Sequence, residues 1–266
     1  AKNGHIDSGT IMYQGQDMAK YKEADFYKIR GKRISLVFQD PLSALNPIMK
    51  IGKQITEALI LSKAIEKSKA KARAIELMEA VGIPNAAERY DAYPFQFSGG
   101  MRQRIVIAIA LASNPEILIC DEPTTALDVT IEAQILEIMC ELKEKYNTAI
   151  MLITHNFGLV AEIADRIGIM YAGEMVETGD VFEIFENPKH PYTKLLMQAL
   201  PRKTKAEGRL QTISGSVPRI TEKKPECRFA NRCPLAQDIC FQASQQTVMV
   251  KEDHMCRCHL LGKEVK

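Results

Sequence analysis

The sequence predicts an α/β fold, built round a parallel sheet and ending in a small cysteine-rich extension. Three observations carry that expectation. The compact apolar runs "ISLVF", "ILIC" and "MLIT" have the length of buried strands, and each ends in polar residues: Gln39, Asp121 with Glu122, and His155. Between the first two runs, residues 48–82 switch to apolar side chains at helical spacing. Five of the seven cysteines fall between Cys227 and Cys258.

Taken in order, "SGTIMYQGQDM" has the glycine punctuation of a hairpin, and "RISLVF" follows as a strand. The helical stretch over 48–82 stops at Gly82 and Pro84. Next comes "FQFSGGMRQRIVIAIALA", whose β-branched content suits a buried strand, while Ser98 as N-cap suits a helix apolar on every face. Periodicity does not decide between them. The strand "EILIC", a helix over roughly 131–145 and the strand "AIMLIT" follow. "NPKHPYTKLLMQALP" opens a different region, and from Pro201 to Arg232 nine Lys/Arg stand against three Asp/Glu, which reads as a solvated linker.

Composition limits the function classes. With 266 residues the chain can bury a substantial core, and a net charge of +2 gives no bulk signal for nucleic acid. The longest apolar run, Ile105 to Ala112, is too short to span a bilayer, and no secretion signal is read at the start. Clustered cysteines without such a signal point to metal binding in a reducing compartment more than to disulfides. The expectation is a soluble, cytosolic chain.

The three strand ends carry the chemistry. In a parallel α/β sheet, residues just past the carboxyl ends of the strands share one edge, where ligands bind. Metal-assisted phosphoryl transfer to water fits the residue types there. Asp121 can hold Mg²⁺, Glu122 can take a proton from the attacking water, Gln39 can position water or metal, and His155 can contact phosphate or orient the base. Each residue alone has a plain alternative, since Asp-Glu can start a helix, Gln39 a turn, and His155 can be structural. Their joint occurrence, with Ser-Gly-Gly between, favours the site.

On these motifs the chain resembles the ATP-binding subunits of ABC transporters. "FSGGM" (Phe97–Met101) is similar to the signature loop, with Phe97 and Met101 departing from the usual LSGGQ. "ILICDEP" resembles Walker B with its adjacent Glu, "TALD" (Thr125–Asp128) the D-loop, "FQDP" the Q-loop and "THN" the H-loop. The form SGGMRQR, "NPKHPYTKLLMQALP" and the cysteine-bearing tail resemble the oligopeptide and dipeptide importers. The resemblance implies a RecA-like P-loop NTPase core of ABC type, present in part over 1–47 and 112–186. It also implies an inserted helical signature subdomain over 48–111 and an extension over 187–266. It makes the segment after the signature a helix, so that Ser98, Gly99 and Gly100 offer a phosphate site at its start. It implies ATP and Mg²⁺, with Ser98, Gly99, Gly100 and Asp128 meeting ATP across a dimer interface, and Asp121 and Gln39 meeting Mg²⁺. The implied partners are a second ATPase subunit, two membrane-spanning permease subunits and an extracytoplasmic peptide-binding protein, with no nucleic acid. The implied location is the cytoplasmic face of a bacterial or archaeal membrane.

The tail cysteines have the spacing C-x₅-C-x₆-C, with Cys258 after a further seventeen residues. These gaps are wide for zinc, and on spacing alone an Fe–S centre, zinc and unliganded thiols all stay open. The peptide-importer resemblance favours a [4Fe–4S] cluster on Cys227, Cys233, Cys240 and Cys258, with Cys256 as the competing fourth ligand; "CHL" in the family tail favours Cys258.

One motif is missing. No G-x-x-x-x-G-K-[ST] occurs in the sequence, and "GHIDSGT" (Gly4–Thr10) has the glycine spacing without the Lys. The expectation is a chain given without its Walker A segment, weak in ATP binding by itself. The alternatives are the ATPase subunit of a related nickel or other small-solute importer, and a non-catalytic partner subunit lacking its own P-loop.

Overall fold

The computed structural model describes residues 4, 6–125, 127–200, 212–222 and 225–261. The chain divides into two compact units, Ala1–His155 and Asn156–Lys266. Part of the basic linker read over 201–232, namely residues 201–211 and 223–224, lies outside the described residues. No helix among the described residues is long and apolar enough to cross a membrane.

The first unit opens with the predicted hairpin, β1 (Met12–Tyr13) against β2 (Gln16–Asp17). Gln14 and Gly15 turn between them with φ of 46 and 76°, the paired left-handed geometry of a tight hairpin. Glu116 receives hydrogen bonds from Tyr13 Oη (2.6 Å) and Gln14 Nε2 (2.8 Å) and an ion pair from Arg33, tying the hairpin to the sheet. After α1 (Glu23–Ile29) come β3 (Ile34–Val37) and α2 (Pro41–Ala44).

The helical stretch expected over 48–82 is two helices, α3 (Ile51–Leu61) and α4 (Ala70–Ala80). Lys63 adopts φ 59°, and the N–H groups of Lys63 and Ala64 return to the carbonyls of Ile60 and Leu59, ending α3 in a left-handed turn. Gly82 ends α4 in the same manner with φ 71°, so it works as the stop signal expected. A short α5 (Ala86–Arg89) precedes α6 (Gly99–Leu111). The ambiguous "RIVIAIALA" is therefore helical, and Ile105, Val106, Ile107 and Ala108 are all buried. Consecutive burial explains why periodicity was silent: this helix is apolar on every face.

β4 (Ile117–Asp121), α7 (Val129–Tyr146) and β5 (Ala149–Ile153) complete the unit. The three longer strands form a parallel sheet in the order β3-β4-β5. One face sends Val37, Leu118 and Cys120 into a core shared with Ile55, Leu77, Ile105 and Met139. The other face carries Leu36, Met151 and Ile153 in the open, 42%, 56% and 44% exposed.

The second unit begins with α8 (Phe157–Ile163) and the antiparallel pair β6 (Arg166–Tyr171) and β7 (Glu174–Asp180). β6 alternates exposed and buried residues, the period of a half-covered sheet. After α9 (Val181–Glu186), α10 (Pro191–Ala199) and α11 (Ile239–Gln242), the hairpin β8 (Thr247–Lys251) and β9 (His254–Arg257) extends the sheet to β6-β7-β9-β8. Its core packs Ile167, Ile169, Tyr171, Val176 and Ile184 round Phe229. Tyr171 and Tyr192 meet the Phe229 ring at 5.1 and 5.2 Å, within the range of favourable aromatic pairs.

Candidate functional site

Strand register brings the predicted residues together. Val37 lies opposite Cys120, and Cys120 opposite Leu152, so the three strands end level. Two or three residues further on, each chain reaches its polar residue at the same sheet edge. Glu122 stands at the centre. Its Oε2 accepts from Gln39 Nε2 at 2.9 Å and from Thr125 Oγ1 at 2.8 Å, while Oε1 lies 3.1 Å from His155 Nδ1. The His155 side chain is 78% exposed and that of Glu122 28%, so the cluster faces solvent. The Thr125 hydroxyl, then His155 and Gln39, hold the Glu122 carboxyl below the ordinary glutamate range, against a smaller opposing effect of burial. Asp121, the last residue of β4, is exposed beside it.

The backbone at Glu122 is unusual. Its φ is 45°, left-handed for a residue with a Cβ and followed by Pro123, a conformation that costs about 1–3 kcal/mol. Two hydrogen bonds hold it: Glu122 N–H donates to Ile153 O at 2.9 Å, and Glu122 O accepts from Thr125 N–H at 3.2 Å. Thr124 is buried and donates to Glu132 Oε1 at 2.6 Å, pinning this turn to α7. Asp128 caps α7 by accepting from Ile131 N–H at 3.0 Å.

The signature turn packs against the start of the same helix. Ser98 caps α6 through Met101 N–H, at 3.4 Å. A Cβ on Gly100 would lie 2.5 Å from Ile131 Cγ2, and one on Gly99 would touch Leu127 at 3.7 Å. Close approach of α7 therefore gives Gly100 a packing reason to be glycine, in addition to the phosphate reason read from the motif.

In the second unit Cys227, Cys233, Cys240 and Cys258 line one cavity, with His190, His259 and Phe229 among its walls. Cys227 N–H donates to Cys240 O at 2.8 Å. Burial pushes the Cys227 thiol up to about 11, and it raises Cys233 and Cys258 as well. Working the other way and more weakly, the nearby backbone N–H groups of Phe229, Leu235 and Leu260 favour the ionised form of these three thiols. Among the described residues no group of three or more His, Cys, Asp or Glu side chains is gathered as a metal-holding set. Cys256 does not line the cavity; it lies fully buried in β9, opposite Glu177 and Val248.

Two polar features were not read from the sequence. One is the Thr125 hydroxyl on Glu122, although Thr125 stood inside the "TALD" motif. The other is buried Glu177, which accepts from Lys189 N–H (2.6 Å), His190 N–H (3.0 Å) and His254 Nε2 (2.8 Å). His190 is held neutral, lowered to about 4 chiefly by burial, and its Nδ1 accepts from Tyr192 N–H at 3.1 Å to cap α10.

A parallel sheet whose strand ends gather Gln39, Glu122 and His155, with a Ser-Gly-Gly helix start in the same unit, defines an ATP-hydrolysing cassette. Comparison with known proteins agrees. The ABC transporter family matches residues 1–125, and the family described as "Oligopeptide/dipeptide transporter, C-terminal region" matches residues 176–240. The chain is 46% identical over 264 residues to the oligopeptide transport ATP-binding protein AppD of Bacillus subtilis, covering 99% of this chain and 80% of that one. It is 48% identical to OppD, the oligopeptide transport ATP-binding protein of the same organism, over 97% of this chain and 72% of that one. It is also 48% identical to the dipeptide transport ATP-binding protein DppD of Lactococcus lactis, covering 98% and 75%. Among solved structures, an ATP-binding cassette in a dimeric post-hydrolysis state bound to ADP and Pi superposes with a TM-score of 0.58 at 26% identity, covering 66% of this chain and 74% of that one. The chain belongs to the ATP-binding proteins of the oligopeptide/dipeptide ABC transporter family.

Proposed function

We propose that this chain powers the import of oligopeptides or dipeptides by hydrolysing ATP at the cytoplasmic face of a bacterial or archaeal membrane. The observation that carries the chemical half is the convergence of Gln39, Glu122 and His155 on one carboxylate at level strand ends. Glu122 is the base that takes the proton of the attacking water, Asp121 holds Mg²⁺, Gln39 positions water or metal, and His155 orients the base or contacts the terminal phosphate. Ser98, Gly99, Gly100 and Asp128 face nucleotide carried by a second ATPase subunit, and two permease subunits and an extracytoplasmic peptide-binding protein complete the transporter. The names of the relatives, all peptide-transport proteins, support the substrate class. The segments are a partial ATPase core over 1–47 and 112–186, a helical signature subdomain over 48–111 and an extension over 187–266.

The extension is read as the holder of a [4Fe–4S] cluster on Cys227, Cys233, Cys240 and Cys258. Their shared cavity supports this, although burial raises the Cys227, Cys233 and Cys258 thiols, so a bound metal would have to supply the thiolate form. The group's contribution would be structural, cross-linking segments with few apolar contacts of their own. Anaerobic purification is expected to yield stoichiometric iron and sulfide, lost in Cys258→Ser and kept in Cys256→Ser. A colourless anaerobic preparation with stoichiometric zinc contradicts it.

The test of function is uptake. In vesicles containing the permease subunits and binding protein, this chain extended upstream with a Walker A segment should drive ATP-dependent uptake of a labelled tripeptide. Uptake of nickel ions without peptide would contradict the substrate assignment.

A further inference from the structure

The Glu122 carboxylate has two oxygens in unequal surroundings. Oε2 accepts two hydrogen bonds, from Gln39 Nε2 and Thr125 Oγ1, which occupies both of its lone pairs. Among the described residues Oε1 has one partner, His155 Nδ1, and keeps one lone pair. Thr125 differs from the other two partners in how firmly it is placed. Gln39 and His155 are exposed, whereas Thr125 is half-buried in the turn closed by Thr125 N–H on Glu122 O. Its neighbour Thr124 anchors that turn to α7 through Glu132.

We propose that Thr125 is a positioning residue for ATP hydrolysis: its hydroxyl saturates Glu122 Oε2 and thereby selects Oε1, on the His155 side, as the oxygen that accepts the proton. In the step, one water O–H bond breaks and its proton moves to Oε1. The water oxygen bonds to the γ-phosphorus, and the bond from that phosphorus to the bridging oxygen breaks, leaving ADP and phosphate. The inference rests on Glu122 acting as base.

Steady-state kinetics test it. In the chain extended with a Walker A segment, Thr125→Val should lower kcat about tenfold with KM for ATP unchanged, the scale of one hydrogen bond to a charged group. Thr125→Ser should recover kcat. Should the Val variant fail to fold, Thr125→Ala against Thr125→Ser makes the same comparison. Wild-type kcat in a folded variant lacking the hydroxyl overturns the proposal. An error in the role of Glu122 itself would show separately, as turnover retained by Glu122→Gln.

Discussion

Glu122 and Glu177 are two carboxylates with similar partners and opposite surroundings. Each accepts three hydrogen bonds, and each has a histidine among its donors. Glu122 is held by three side chains at an open sheet edge, on a backbone at φ 45°. Glu177 is held by two backbone N–H groups and a histidine, with side-chain exposures of 0% for Glu177 and 1% for His254. Side-chain donors at a wet edge can rotate away and exchange for water, metal or phosphate. Backbone donors in a sealed core cannot. Under the proposed function, similar chemistry serves reaction in one unit and architecture in the other, where Glu177 joins β7, the loop before α10 and the tail hairpin.

Substitutions that read activity and stability separately should break this symmetry. His155→Ala, in the chain extended with Walker A, should cut ATP turnover by about 10²–10⁴-fold. Its thermal midpoint should barely move, because the ring is exposed. His254→Ala should do the reverse in kind. Stranding the buried Glu177 carboxylate should cost the second unit about 3–5 kcal/mol, measured by urea denaturation, and a loss below about 1 kcal/mol would mean Glu177 is not an architectural keystone. Gly100→Ala is the smallest of the three. The 2.5 Å approach to Ile131 predicts a loss of about 1–3 kcal/mol, relieved when Ile131→Ala is added.

How legible these features were in the sequence follows from how local they are. Gln39, Glu122 and His155 could be placed together because each sits just past a compact apolar run, and parallel strands end at a common edge. The break between α3 and α4 was hidden because Lys63 adopts a left-handed turn without being Gly or Asn. The hairpin β6–β7 was missed although "RIGIMYAGEMVETGD" holds a usable signal. Arg166-Ile167-Gly168-Ile169 puts isoleucine at every second position, and Ala172-Gly173 forms the two-residue turn with φ of 46 and 83°. The Glu177 hub had no local signal at all, since its partners come from β9 and from the loop before α10. The cavity cysteines could be grouped by resemblance, but spacing alone did not separate Cys258 from Cys256. Strand register puts Cys256 into the β7–β9 ladder, while Cys258 lines the cavity.

The central claim is that Glu122, presented by strained backbone at the end of β4, is the group that activates water. The most direct measurement follows ATP in the Walker A-extended chain carrying Glu122→Gln, which keeps the side-chain shape and removes the proton acceptor. The account predicts that the variant still binds Mg·ATP and accumulates an ATP-bound dimer on gel filtration, while single-turnover hydrolysis falls by at least about 10²-fold. Near wild-type turnover in that variant, with the same dimer formed, would contradict it.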